Sequence, residues 1–134
     1  MTDPFPDHRT SDCMRVSEVL ARVGDKWSIL VIGTLGDGPR RFSELKRAID
    51  GISQRMLTLT LRGLERDGFV TRTVTPSIPP RVDYELTELG RSLLDPVKAL
   101  GDWAIVNRDV VDAARQSFDA GRAESEAASL SPRH

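Results

Sequence analysis

Arginine and small polar side chains recur at helical spacing between residues 53 and 66. At about 100° per residue, Leu57, Leu61 and Leu64 fall on one face of a helix, and the arginines fall on the opposite face. Guanidinium, amide and hydroxyl groups hydrogen-bond phosphate oxygens and the edges of bases. The chemistry that this spacing predicts is recognition of a nucleic acid. Together with residues before and after this segment, the candidates for contact with double-stranded DNA are Ser43, Ser53, Gln54, Arg55, Thr58, Leu59, Arg62, Arg66, Arg72 and Arg81.

The candidate residues divide by the part of DNA that they are expected to meet. Base edges are expected to be read from the start of the helix and from its basic face, by Gln54, Arg55, Thr58 and Arg62. Free N–H groups at a helix N-terminus favour an anion. Phosphate contacts are therefore expected from Ser53, and also from Arg66 and Arg81. Leu59 offers only apolar contact, for instance to the methyl group of thymine.

The elements that would position these residues follow from apolar spacing and turn-forming residues. The predicted helices are residues 11–23, 25–35, 43–49, 53–67 and 87–111, with Ser43 and Thr87 as N-caps and a kink at Asp95 and Pro96. Residues 69–74 and 82–86 suit strands. Three prolines between them prevent ladder pairing and stiffen a loop. The predicted fold class is α+β, mostly α: a winged helix-turn-helix with a two-stranded wing hairpin.

A solvated charged face on an amphipathic helix is the simpler interpretation of the arginine pattern. Arg72 can likewise be an exposed strand residue. The DNA-binding interpretation is favoured because the basic stripe coincides with a predicted turn and a predicted wing.

Charge is distributed unevenly along the 134-residue chain, whose formal net charge is −1. Residues 40–81 contain nine basic and four acidic side chains, which gives this segment a charge of +5 and leaves −6 for the rest. A basic segment in an otherwise acidic chain is typical of a protein that meets phosphate with one face.

Catalysis and cofactor binding lack candidates in this sequence. Both histidines, His8 and His134, lie near the ends of the chain, so no histidine is placed to act as a base in a folded site. Neither a glycine-rich phosphate loop nor a metal-ligand spacing occurs. We expect no enzyme activity, no metal and no cofactor.

The cellular compartment is indicated by what the sequence lacks. No apolar run approaches the roughly 18 residues that span a bilayer, and residues 1–9 show no signal pattern. A single cysteine fits a reducing compartment. We expect a cytoplasmic protein without a membrane partner, located at the nucleoid when bound to DNA.

Five blocks of sequence carry a family resemblance: VGDKW (23–27), PRRFSEL (39–45), GISQRMLT (51–58), LRGLERDGFV (61–70) and PRVDYELTELG (80–90). From about Cys13 to Trp103, the chain resembles the HxlR-type, MarR-related winged-helix regulators of bacteria. The resemblance implies a homodimer that binds a pseudo-palindromic operator near regulated genes, with terminal helices forming the dimer contact. Leu59 and Gly63 depart from the family, because larger or polar residues are expected at these positions on the exposed side.

The expected domain organisation combines the sequence patterns with this resemblance. Residues 1–10 are expected to be a flexible arm, residues 11–118 an HxlR-type winged-helix domain, and residues 119–134 a disordered tail that is small and polar. Within the domain, the DNA-binding core is expected at about residues 40–86, and the dimerisation helices at about 11–23 and 87–112. The residues expected in the dimer interface or the core are Val16, Leu20, Trp27, Leu93, Val97, Leu100 and Trp103.

Two kinds of signal are compatible with such a regulator. Cys13 occupies the position near the start of the first helix where many family members carry a cysteine, used in some as a sensor of oxidants or electrophiles. The helix N-terminus and nearby Arg15 favour a thiolate, and a partly buried, inert thiol is the alternative. A hydrophobic small-molecule effector could also lodge between the dimerisation helices and the DNA-binding unit.

The sequence therefore predicts a sequence-specific DNA-binding transcriptional regulator. The alternative is a winged-helix module used for protein–protein contact. That alternative would tolerate loss of Arg55 and Arg62.

Overall fold

The computed structural model describes residues 11–130. Its elements in chain order are α1 (Ser11–Val23), α2 (Lys26–Leu35), β1 (Arg40–Arg41), α3 (Phe42–Ala48), α4 (Gln54–Arg66), β2 (Val70–Thr75), β3 (Arg81–Leu86), α5 (Glu88–Arg91) and α6 (Leu94–Leu130). This order confirms the predicted winged helix-turn-helix, with α3 and α4 as its two helices and β2 and β3 as the wing. The arm expected at residues 1–10 and the end of the expected tail, residues 131–134, lie outside the described residues.

The chain falls into two compact units, one ending at Val97 and the other beginning at Lys98. The first unit contains the helix-turn-helix and the wing, and the second is the larger part of α6. No helix between residues 11 and 130 is both long and apolar enough to cross a membrane.

A small antiparallel sheet, with strand order β1-β3-β2, supports the wing. β2 pairs with β3 from Val70 opposite Leu86 to Thr75 opposite Arg81, and the five residues between the strands form the tip. β1 is absent from the sequence prediction because its two residues are too few to show alternation. Its pairing with β3 ties the segment before α3 to the wing.

The core of the first unit is built mainly from aliphatic side chains. Leu57, Leu61 and Leu64 of α4 are buried, as their spacing predicts. They join buried residues of α2, α3, the wing strands and the loops before α4 and β2: Val31, Ile32, Leu35, Leu45, Ile49, Ile52, Phe69, Val70 and Leu86. Because burial of this apolar face holds α4 in place, its opposite face is turned to solvent.

The N-cap predicted at Ser43 is wrong, since α3 begins one residue earlier, at Phe42. Arg41 belongs to β1, where it pairs with Asp83, so the chain passes directly from strand to helix. At this start, the carboxylate of Glu44 accepts a hydrogen bond from the Arg41 N–H at 3.1 Å. The predicted cap at Thr87 is confirmed, because its Oγ1 accepts a hydrogen bond from the Gly90 N–H at 3.0 Å at the start of α5.

Two predictions about the C-terminal segment are corrected. The kinked helix from residue 87 is two helices, α5 and α6, and Pro96 lies in the first turn of α6, where its missing N–H costs no helical hydrogen bond. The disordered tail is wrong over residues 119–130, because α6 continues to Leu130. Alanine, glutamate and arginine favour helix without an apolar face, and Arg122 pairs with Glu126 one turn later at 3.2 Å.

Candidate DNA-binding surface

The position of α4 is set by the turn before it and by its N-cap. Gly51 adopts a φ of +81° between α3 and α4, a backbone conformation that favours glycine. Ser53 is the N-cap, and its Oγ accepts a hydrogen bond from the Met56 N–H at 3.0 Å. The helix therefore starts at a fixed point, with Ser53 and Gln54 exposed at its N-terminus.

The solvent-facing side of α4 carries most of the residues that were predicted to contact DNA. The structure brings Gln54, Arg55, Leu59, Arg62 and Arg66 together as exposed residues of this one helix. The half-buried Thr58 lies at the edge of the exposed face, and its Oγ1 donates a hydrogen bond to the Gln54 carbonyl at 2.9 Å. Ser43 is exposed on the preceding helix, α3.

The arginines of this region differ in their carboxylate neighbours. Arg66 lies 3.9 Å from Asp67, Arg72 lies 3.8 Å from Glu65, and Arg81 lies 3.0 Å from Asp83. Arg55 and Arg62 form no ion pair with another residue in the range 11–130. Among the arginines of α4 and the wing strands, the two without a carboxylate partner therefore lie on the exposed face of α4, a distribution that the sequence pattern does not reveal.

A polar cleft of about 210 Å³ separates α4 from the wing. Tyr84 of β3 lines it, together with Arg62, Glu65 and Arg72. Burial raises the pKa of the Tyr84 phenol, and Glu65 acts in the same direction, whereas Arg72 and Arg62 act to lower it. Tyr84 is absent from the predicted site. The available signal is the strand register, which places it opposite both Arg72 and Arg40.

The residues expected in a dimer interface or the core separate into two groups. Trp27, Leu93 and Val97 are partly buried and pack against the core of the first unit. The others are exposed: Val16 and Leu20 on α1, and Leu100 and Trp103 on α6. Cys13 is buried near the start of α1.

Gly63 does not lie on the exposed side of α4, where the family comparison places a larger or polar residue. It is buried beneath the guanidinium of Arg22, which reaches across from α1. Arg22 is a second residue that sequence reasoning missed, since the contact spans many residues and leaves no local pattern.

Between residues 11 and 130, the structure brings together no group of three histidine, cysteine, aspartate or glutamate side chains that could hold a metal ion.

A basic second helix in a helix-turn-helix, with a β-hairpin beside it, defines a winged helix-turn-helix DNA-binding protein. The chain belongs to the HxlR-like helix-turn-helix family, whose model matches residues 22–112. It is 44% identical over 98 residues to the HTH-type transcriptional regulator YtfH of Escherichia coli, and the aligned region covers 73% of this chain and 78% of the relative.

Solved structures agree with this membership. The redox regulator HypR in its reduced form is 43% identical, with a TM-score of 0.68 over 74% of this chain and 98% of that chain. A MarR-family transcriptional regulator from Porphyromonas gingivalis is 31% identical, with a TM-score of 0.67 over 78% of this chain and 99% of that chain. The relatives are named as transcriptional regulators and not as enzymes. The protein is a transcriptional regulator with a helix-turn-helix DNA-binding domain.

Proposed function

We propose that the protein acts as a homodimer that binds a pseudo-palindromic operator in a sequence-specific manner. The observation that carries the proposal is the exposed face of α4, where Arg55 and Arg62 lack a carboxylate partner among residues 11–130. In a symmetric dimer, two such helices about 34 Å apart fit successive major grooves on one side of DNA.

The proposed contacts follow the geometry of α4 and the wing. Base edges are read from the N-terminal turn and the exposed face, by Gln54, Arg55, Thr58 and Arg62. Leu59 adds an apolar contact in the same groove. Phosphates are bound by residues around this face and on the wing: Ser43, Ser53, Arg66, Arg72 and Arg81. Because Arg72 and Arg81 already have carboxylate neighbours, their share of the affinity is smaller than that of Arg55.

The homodimer is supported by apolar side chains that remain exposed on α1 and on α6. On α1, Val19 is 53% exposed and Leu20 is 47% exposed. On α6, Trp103 is 59% exposed, and Leu100, Val106 and Val110 are exposed as well. Clustered apolar surface on a regulator of this size is typical of a protein–protein contact.

A response to an oxidant or to a small molecule belongs to the same proposal. A redox regulator is among the similar structures, and Cys13 lies in α1, where its oxidation would disturb a dimerisation helix. For a small molecule, the first unit offers a mainly apolar groove of about 830 Å³ between α1, α5 and the end of α4. Val19, Val23, Phe69, Leu89 and Leu93 supply its apolar walls.

DNA binding is tested with duplexes that the wild-type protein enriches from a random library. Fluorescence anisotropy should give tight binding that weakens steeply as salt rises, because phosphate contacts release counterions. Absence of binding to any duplex at low salt would refute the proposal. If Arg55→Ala and Arg62→Ala abolish DNA binding but leave gene regulation unchanged, the protein–protein module is the better description.

The two signals are separated by treatment and variant. Diamide or hydrogen peroxide should reduce the DNA affinity of the wild type and leave Cys13→Ser unchanged. The groove is tested with the apolar fluorescent anion anilinonaphthalene sulfonate, whose binding should fall in Leu89→Gln, since Leu89 lines the groove from an exposed position. Equal responses of variant and wild type would remove the corresponding signal from the proposal.

A further inference from the structure

One long side chain connects α1 to the end of the recognition helix. Arg22, in the last turn of α1, places its Nε 2.8 Å from Oδ2 of Asp67. Asp67 is the C-cap of α4, directly before the turn into β2. The two side chains are 32% and 31% exposed, so water is partly excluded from this ion pair. The contact therefore joins α1 to the point where α4 ends.

Gly63 makes room for this contact within the recognition helix. A Cβ at Gly63 would overlap the guanidinium of Arg22, which lies against the backbone of α4 at this position. Glycine is a poor helix former, and nothing else in the interior of α4 calls for it, because its backbone is regular helix there. Gly63 and Asp67 lie one turn apart, so the same guanidinium lies against Gly63 and pairs with Asp67.

Few ion pairs hold α4 to the rest of the first unit. Among the described residues, Arg72 of β2 pairs with Glu65, and Arg22 of α1 pairs with Asp67. The first pair links α4 to its own wing, which follows it in the chain. The second links α4 to α1, a helix whose exposed apolar residues support a role in the dimer contact.

We propose that Arg22 is a positioning residue that fixes the recognition helix relative to α1 and thereby sets the spacing of the two recognition helices in the dimer. The role rests on the proposed homodimer. Bivalent binding gains affinity only when both sites are engaged at once, so a loosened α1–α4 geometry weakens binding to a full operator. Binding of one recognition helix to a half-site does not require that geometry.

Three substitutions test the role from different directions. Arg22→Gln removes the guanidinium, and Asp67→Asn removes its acceptor charge. Gly63→Ala displaces the guanidinium without changing any charge and improves helix propensity. The matched control is Arg15→Gln, which removes the same charge from the same helix at an exposed pair with Asp12.

The measurement is the ratio of dissociation constants for a half-site duplex and a full-site duplex, both derived from wild-type selection. Each of the three variants is expected to bind the full site roughly tenfold more weakly and to bind the half-site within about twofold of wild type. Asp67→Asn is decisive because loss of a negative charge alone would strengthen DNA binding. Gly63→Ala is expected to keep or raise the melting temperature, so a purely structural role cannot explain its weaker binding.

The outcomes distinguish this role from the proposed function. If wild type itself shows no preference for the full site and sediments as a monomer, the homodimer fails, and the positioning role fails with it. If wild type prefers the full site and the variants keep the same ratio, only the positioning role is overturned. A loss of equal size in Arg15→Gln would assign the effect to net charge.

Discussion

Two helices of the first unit, α4 and α1, differ in how far their apolar side chains are buried. α4 buries Leu57, Leu61 and Leu64 in the core and turns its arginines to solvent, whereas α1 leaves Val19 and Leu20 about half exposed. The face of α4 that these three leucines form is covered by the chain's own elements. The apolar face of α1 keeps area that folding of one chain does not remove from water. Stability is therefore expected to be concentrated around α4, and association around α1.

The largest expected effect is the loss of stability when a buried leucine of α4 is truncated. Leu64→Ala removes a fully buried side chain and should lower the free energy of unfolding by about 2–5 kcal/mol, from lost transfer energy and the cavity that remains. Leu20→Ala removes the same atoms from α1 and should cost under about 1 kcal/mol in dilute protein. Urea denaturation followed by circular dichroism measures both. Equal losses would mean that α1 is packed as tightly as α4.

The next effect concerns association through α1. Leu20→Glu places a charge in the expected dimer contact and should weaken dimerisation by about 2 kcal/mol or more, about thirtyfold in Kd, since a charge there would be desolvated. Ser17→Glu adds the same charge at a polar position of the same helix. Sedimentation equilibrium compares the two variants. A monomer–dimer equilibrium unchanged by Leu20→Glu would place the interface elsewhere.

On the exposed side of α4, base contacts and phosphate contacts should have different effects on sequence specificity. Arg55→Ala is expected to lose about 1–3 kcal/mol on the selected duplex and much less on random DNA, because the lost contacts are to base edges. Arg66→Ala should weaken binding to both kinds of DNA alike, since a phosphate contact carries no sequence information. Anisotropy with both duplexes gives the four constants. The same loss for both variants on both duplexes would contradict this division.

The sequence was sufficient for the parts of the molecule that repeat locally. The leucine spacing of α4, the turn at Gly51 and the two wing strands are all visible as periods or turn residues, and the structure has them in that order. The family resemblance then rested on blocks within these same elements. Thr87 could be assigned as a cap because the hydrogen bond it accepts comes from only three residues away.

What the sequence did not reveal depends on contacts between distant residues or on a helix without an apolar face. The Arg22–Asp67 pair joins residues 45 positions apart, and the burial of Gly63 follows from that pair and not from any pattern within α4. The two-residue strand β1 exists only because β3 lies beside it. The last part of α6 has no apolar periodicity, so the criterion that found the other helices missed it.

The smallest expected effect tests how well the cleft beside α4 is closed to water. The pKa of Tyr84 is raised mainly by burial, so the folded protein holds the phenol proton more tightly than the unfolded chain does. Below the pKa of an exposed tyrosine, about 10, Tyr84 is protonated in both states and contributes no pH dependence to stability. Above it, the unfolded chain ionises first, and the folded state loses stability as pH rises toward the folded pKa.

Tyr84→Phe removes this titration while keeping the ring in place. The difference in unfolding free energy between wild type and variant should stay constant from neutral pH to about pH 10 and then shift in favour of the variant. The comparison cancels the titration of lysines, which the two proteins share. The shift should be small, because Arg72 and Arg62 oppose the effect of burial and the ring is only partly covered. A difference that moves in favour of wild type above that pH would mean that the two arginines outweigh burial, and that the cleft beside α4 is open to solvent.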